Sequence, residues 1–126
     1  MVQRRDTAQQ RAIRDALNSS GRPLSVDEIH QLAIDDVPSL GVRTVYRVVE
    51  RLLEDGEIAS VAVPRQPDRY ELASVAKKHH HHFHCDSCDR VFDVQGCPGG
   101  LSRMLPDGFT LAGHELTLWG TCPDCA

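Results

Sequence analysis

No run of apolar residues in this chain approaches the length that crosses a bilayer, and no secretory-type leader is expected. Met1-Val-Gln-Arg-Arg5 passes straight into polar, helix-forming sequence. A cytoplasmic protein without a membrane partner is expected. An excess of positive charge is also missing. The 126 residues hold 14 Lys and Arg against 18 Asp and Glu, a net charge of −4, whereas most domains that grip nucleic acid are basic. DNA binding then requires a locally basic helix with the acids facing elsewhere. A His-Glu-x-x-His helix or comparable catalytic motif is absent. A zinc hydrolase would need an open metal position and a general base beside it, so no enzyme and no small organic substrate are expected. A disulfide framework is excluded by the same compartment argument, because thiols stay reduced in the cytoplasm.

What is present is a set of metal-ligand types. Cys85-Asp-Ser-Cys88 and Cys122-Pro-Asp-Cys125 each place two thiolates on one tight turn. Together they can form the tetrahedral Cys₄ shell that zinc prefers. The long spacer between the pairs means that the site staples separate parts of one small domain. A chain of this length makes one ordinary domain or two very small ones, and a half of this size usually needs a metal or partner for security.

The N-terminal half reads as helices followed by a hairpin. Thr7 is a candidate N-cap for a helix through Ala12, Ile13, Ala16 and Leu17, ending at Gly21. Ser25-Val-Asp-Glu28 is a capping box opening a second helix through Ile29, Leu32 and Ala33. Val42, Val45, Val48, Val49, Leu52 and Leu53 define a strongly amphipathic third helix. Ile58 to Val63 and Arg69 to Leu72 read as two strands around a proline-marked turn. This order makes a winged helix-turn-helix, whose last helix before the wing enters the major groove. Its polar face carries Arg43, Thr44, Tyr46, Arg47 and Arg51; Arg4, Arg5 and Arg11 can add phosphate contacts. Arginine suits phosphates and guanine edges because its planar fork donates two parallel hydrogen bonds. The plainer reading is a solvated face in which these arginines pair with Glu50 and Glu54.

Residues 73–78 lack a period and read as a hinge. His79 to His84 should be a strand running into the zinc turn, with Val91 to Val94 and Glu115 to Gly120 as further strands and one short helix over Leu101 to Leu105. Strand side chains alternate faces. His80, His82 and His84 therefore point one way, and His79 and His81 the other, so one stretch can seed two metal sites. Glu71 and Asp93 are the carboxylates within reach by sequence, and His114 precedes the last strand. Cys97, outside both pairs, is either a partly buried thiol or a ligand. His84 and His30 are read as surface residues. An expression tag would be terminal, whereas this histidine run is interior and abuts the zinc ligands.

Taken in order, these residues resemble the ferric uptake regulator (Fur) superfamily. The resemblance rests on Thr7-Ala-Gln9, Gly41-Val-Arg-Thr-Val-Tyr-Arg47, Arg69-Tyr-Glu71, the histidine run into Cys-x-x-Cys, Val91-Phe-Asp93, and His114 leading to Gly120-Thr-Cys-x-x-Cys125. It implies an α+β homodimer: a winged-helix DNA-binding domain (1–72), a hinge (73–78) and a small α/β dimerisation domain (79–126) around a structural zinc at Cys85, Cys88, Cys122 and Cys125. It further implies a regulatory divalent metal at Glu71, His80, His82 and Asp93, which switches on binding to palindromic operator DNA. In some relatives a third site matches His79, His81 and His114 plus a helix glutamate. Here no carboxylate falls at that place and Cys97 does, giving His79, His81, Cys97 and His114. Other relatives' ligands fall at Pro23, Ala59 and Ala73 or Ser74, which cannot serve. For the sensed metal, zinc is favoured over iron(II) or manganese(II), as in the zinc uptake regulator branch. The competing readings are an iron- or manganese-responsive or peroxide-sensing repressor and, more remotely, a metal storage or delivery protein.

Overall fold

The structure, a computed structural model, describes residues 7–126, so Arg4 and Arg5 lie outside the described residues. Its contacts divide the chain into two compact units, Met1–His79 and His80–Ala126.

In the first unit, α1 (Ala8–Ser20) begins where the sequence signals it. The Gln10 N–H donates to Thr7 Oγ1 at 3.1 Å, and the Gln10 side chain accepts from the Thr7 N–H at 3.4 Å. The helix ends at Gly21, whose φ of +66° suits a residue without Cβ. α2 (Val26–Ala33) carries the expected Ser25/Glu28 capping box, and α3 (Val42–Glu54) follows Gly41. The apolar stripes of the three helices meet in one core, with Ile13, Leu24, Ile29, Val45 and Leu52 fully buried. β1 (Ile58–Val61) and β2 (Arg69–Leu72) pair antiparallel, Ile58 opposite Leu72. Leu24 adds a bridge to Tyr70 through reciprocal backbone bonds of 3.0 and 2.8 Å, which the proline-broken segment Gly21-Arg-Pro23 does not advertise.

Two details of this unit go beyond the reading of the sequence. The stretch read as a hinge forms a helical turn, α4 (Ala73–Ala76), packed on the hairpin and anchored by the Ala73 N–H to the Glu57 carbonyl at 2.9 Å. His30 is half-buried rather than a surface residue. Its Nε2 lies 2.8 Å from the carbonyl oxygen of Leu40, just before the Gly41 cap of α3, so it ties α2 to the start of that helix.

A buried ion cluster joins the capping box to the hairpin. Glu28 accepts from Arg22 at 2.8 Å and also pairs with Arg69, which is 3% exposed. Burial opposes ionisation of Glu28, but hydrogen bonds from Arg22 and Ser25 and the Arg69 charge outweigh it and hold the carboxyl below its ordinary value.

The second unit is a three-stranded sheet in the order β4-β3-β5, with β3 (His81–Cys85) in the centre, β4 (Val91–Val94) antiparallel and β5 (Thr117–Gly120) parallel to it. The central strand starts at His81, two residues later than expected, and includes Cys85. The short helix is a single 3₁₀ turn over Leu101–Met104. The Phe83 ring packs over Gly120, 3.4 Å from where a Cβ would stand. Among the described residues of this unit, Val91 is the only aliphatic side chain that is buried; the other buried groups are Cys85, Cys122 and His81. Its interior is made of metal-ligand types.

Candidate metal centres

Three clusters of donor atoms occupy the second unit, each built by the strand pattern. Cys85 ends β3, and the turn after it brings Cys88 round as the Asp89 N–H bonds the Cys85 carbonyl at 2.8 Å. Cys122 and Cys125 sit on a matching turn closed by the Cys125 N–H to the Cys122 carbonyl at 3.0 Å. Pairing of β5 with β3 brings the two turns together. All four sulfurs lie within 4.8 Å of one another, and none forms a disulfide. Cys88 and Cys122 Sγ are 3.9 Å apart, close to the edge of ~3.8 Å for a tetrahedron with Zn–S bonds of about 2.3 Å.

The surroundings favour thiolates. The Cys122 N–H donates to Cys85 Sγ at 3.4 Å, and this bond, with the Cys88 N–H, draws the Cys85 thiol down to about 6. Arg90 donates from Nε to Cys88 Sγ at 3.1 Å and from Nη2 to Asp124 at 3.2 Å, bridging the two turns. The N–H and guanidinium of Arg90 lower the Cys88 thiol in turn. Cys125, hydrogen-bonded to Cys122 and desolvated beside the other sulfurs, is pushed up to about 12. Four adjacent thiolates need a cation between them, and the donor set suits one tetrahedral metal ion. Sequence reasoning missed Arg90, although a cation two residues after a Cys-x-x-Cys pair was the available signal.

The second cluster lies on one face of β3. His82 stands opposite Asp93 in the β3–β4 register, and His80 is two residues back on the same face. Asp93 Oδ1 is 3.4 Å from His80 Nε2 and 3.5 Å from His82 Nε2. These atoms are buried, and His82 Nε2 and Asp93 Oδ1 have no hydrogen-bond partner. Buried polar atoms that converge without bonding are the mark of a ligand position. Burial, followed by the neighbouring His80, keeps the His82 imidazole neutral below its ordinary range and leaves a lone pair for metal. Glu71 belongs to the first unit, buried on β2 opposite Ala59.

The third cluster takes the opposite face. His81 Nε2 is 3.3 Å from Cys97 Sγ and 3.2 Å from His114 Nε2, and Cys97 Sγ is 3.2 Å from His114 Nε2. Cys97 is therefore gathered with the histidines. His79, the last residue of the first unit, is exposed, and His84 is held by Asp89 at 3.2 Å and Asp86 at 3.8 Å, outside all three clusters.

On the first unit, α3 buries Val45, Val48, Val49 and Leu52 and exposes Arg43, Tyr46, Arg47 and Arg51 on its other side. Thr44 is half-buried and Arg11 is exposed on α1. Glu50 and Glu54 border the same groove as Arg47 and Arg51.

Comparison with known proteins places the whole chain. The "Ferric uptake regulation protein" of Campylobacter jejuni is 32% identical over 90 residues, covering 69% of this chain and 56% of that protein. The chain thus spans little more than half the length of that relative. The "Peroxide-responsive repressor PerR" of Staphylococcus aureus is 26% identical over 125 residues, 96% of this chain and 82% of the relative. A solved structure described as a zinc-bound manganese uptake regulator superposes with a TM-score of 0.79 at 26% identity, covering 94% of this chain and 91% of that one. The model of the ferric uptake regulator family matches residues 2–119, and the chain belongs to that family.

Proposed function

We propose that the protein is a metal-dependent transcriptional repressor of the bacterial cytoplasm, which binds palindromic operator DNA as a homodimer when a regulatory divalent ion is bound. The observation that carries this reading is the convergence of His80, His82 and Asp93 on one buried point, where His82 Nε2 and Asp93 Oδ1 have no hydrogen-bond partner. The three helices and hairpin work as a winged helix-turn-helix, with Arg43, Thr44, Tyr46, Arg47 and Arg51 toward DNA and Arg11 on the phosphates. The four cysteines hold a structural zinc. His81, Cys97 and His114 hold a further ion. The family pattern adds Glu71 and His79 to the second and third sets, and metal content of Glu71→Gln and His79→Ala variants tests their membership. Leu118 and Trp119, 49% and 72% exposed on the outer strand β5, supply the dimer contact.

Bound metal acts by population shift: it binds the DNA-competent form better and raises its fraction. Zinc is the ion proposed to be sensed, because imidazole and thiolate donors dominate the unit. The oxygen of Asp93 supports the second reading, an iron- or manganese-responsive or peroxide-responsive repressor, since those ions favour mixed nitrogen and oxygen ligands.

The test is operator binding by the purified protein, keeping its structural zinc, against buffered zinc, manganese(II) and iron(II). The expected result is metal-dependent binding that Arg47→Ala weakens by roughly 5- to 150-fold, with metal content unchanged. Metal uptake with no change in DNA affinity would turn the reading toward storage or delivery.

A further inference from the structure

We propose that the His81–Cys97–His114 cluster is a thiophilic metal site, which takes zinc-class ions and rejects manganese(II), while the His80–His82–Asp93 cluster accepts either. The inference rests on reading both clusters as metal sites. The two are built from one strand. His80 and His82 share a face of the β3 segment, and His81 between them points to the other, where Cys97 and His114 complete an almost equilateral triangle of 3.2 to 3.3 Å.

The chemistry of the two sets differs in one atom. Among the donors of the second unit, each offers two imidazoles and one anion. In one the anion is the carboxylate of Asp93; in the other it is the thiolate of Cys97. Donor softness then discriminates between metals at these sites. Thiolate favours zinc and cobalt, whereas manganese prefers oxygen and stands lowest in the divalent affinity order. Ligation at Cys97 displaces the thiol proton to solvent, so one proton leaves for each ion bound. Cys97 lies on an exposed segment after β4, so the ion can enter from solvent, whereas the histidine beneath it is buried. The protein thereby has two metal sites of different metal preference.

Cobalt(II) titration of the protein with zinc retained in the Cys₄ site tests this. With those four cysteines occupied by zinc, verified by metal analysis, a thiolate-to-cobalt charge-transfer band in the near ultraviolet can come only from Cys97. Wild type should show the band, and manganese should fill one site fewer than cobalt. Cys97→Asp should erase the band and let manganese fill both sites equally. His114→Ala should lose one equivalent of cobalt together with the band. Loss of that equivalent in His114→Ala without any band in wild type would overturn the proposal while leaving the metal site standing. Unchanged stoichiometry in both variants would overturn the metal-site reading itself.

Discussion

Removing the structural metal should unfold the second unit and spare the first. The perturbation is Cys122→Ser, or extraction of zinc by a strong chelator. Val91 is the only buried aliphatic side chain among the described residues of residues 80–126, and burying it contributes ~2 kcal/mol. A structural zinc contributes roughly 10–16 kcal/mol to the folding of a comparable small domain, and whole domains are stable by only about 5–15 kcal/mol. Loss of the ion therefore exceeds what the remaining packing can offset. The first unit keeps a core of Ile13, Leu24, Ile29, Val45 and Leu52 that owes nothing to metal. Amide hydrogen exchange read by mass spectrometry distinguishes the two. Peptides covering β3 and β5 should lose protection, while those covering α1 and α3 keep it. Retained protection in β3 and β5 of protein shown to be zinc-free would refute the argument that ligation rather than packing holds this unit.

Other expectations concern the ion cluster, the helix tie and the outer strand. Because the Glu28 carboxyl is held below its ordinary 4.5, its contribution to stability is fully present above that pH and is lost as pH falls through the lower folded value; Glu28→Gln should flatten this part of a urea-denaturation profile. Arg69→Met leaves Glu28 with Arg22 and Ser25 as partners and should cost about 1–3 kcal/mol by the same assay at neutral pH. His30→Ala leaves the Leu40 carbonyl without its ring partner and should destabilise the first unit by about 1–3 kcal/mol, with weaker operator binding by fluorescence anisotropy. Trp119→Lys should shift sedimentation toward monomer without changing the zinc content.

Much of the fold was legible because its signals are local. The Thr7 and Ser25 caps each need only residues within one turn, and the stripe of Val45, Val48, Val49 and Leu52 needs only a period. Strand alternation alone puts His80 and His82 on one face and His81 on the other. What stayed hidden depends on contacts distant in sequence. The Leu24–Tyr70 bridge and the His30 ring against Leu40 join segments whose own composition says nothing of each other. Arg90 reaches Asp124 only because the two cysteine turns meet. Residues 73–76 lacked a period because one helical turn is too short to show one.

The replacement of an aliphatic core by ligands in the second unit also shapes how its sequence can drift. In the first unit many side chains share the packing, so each position tolerates modest change and few tolerate charge. Among the described residues of the second, Cys85, Cys122, His81 and Val91 are the buried side chains and most others face water. A saturation-mutagenesis map should therefore be jagged there, intolerant at the ligand positions and nearly flat between them. Over the helical unit it should be graded, following burial residue by residue.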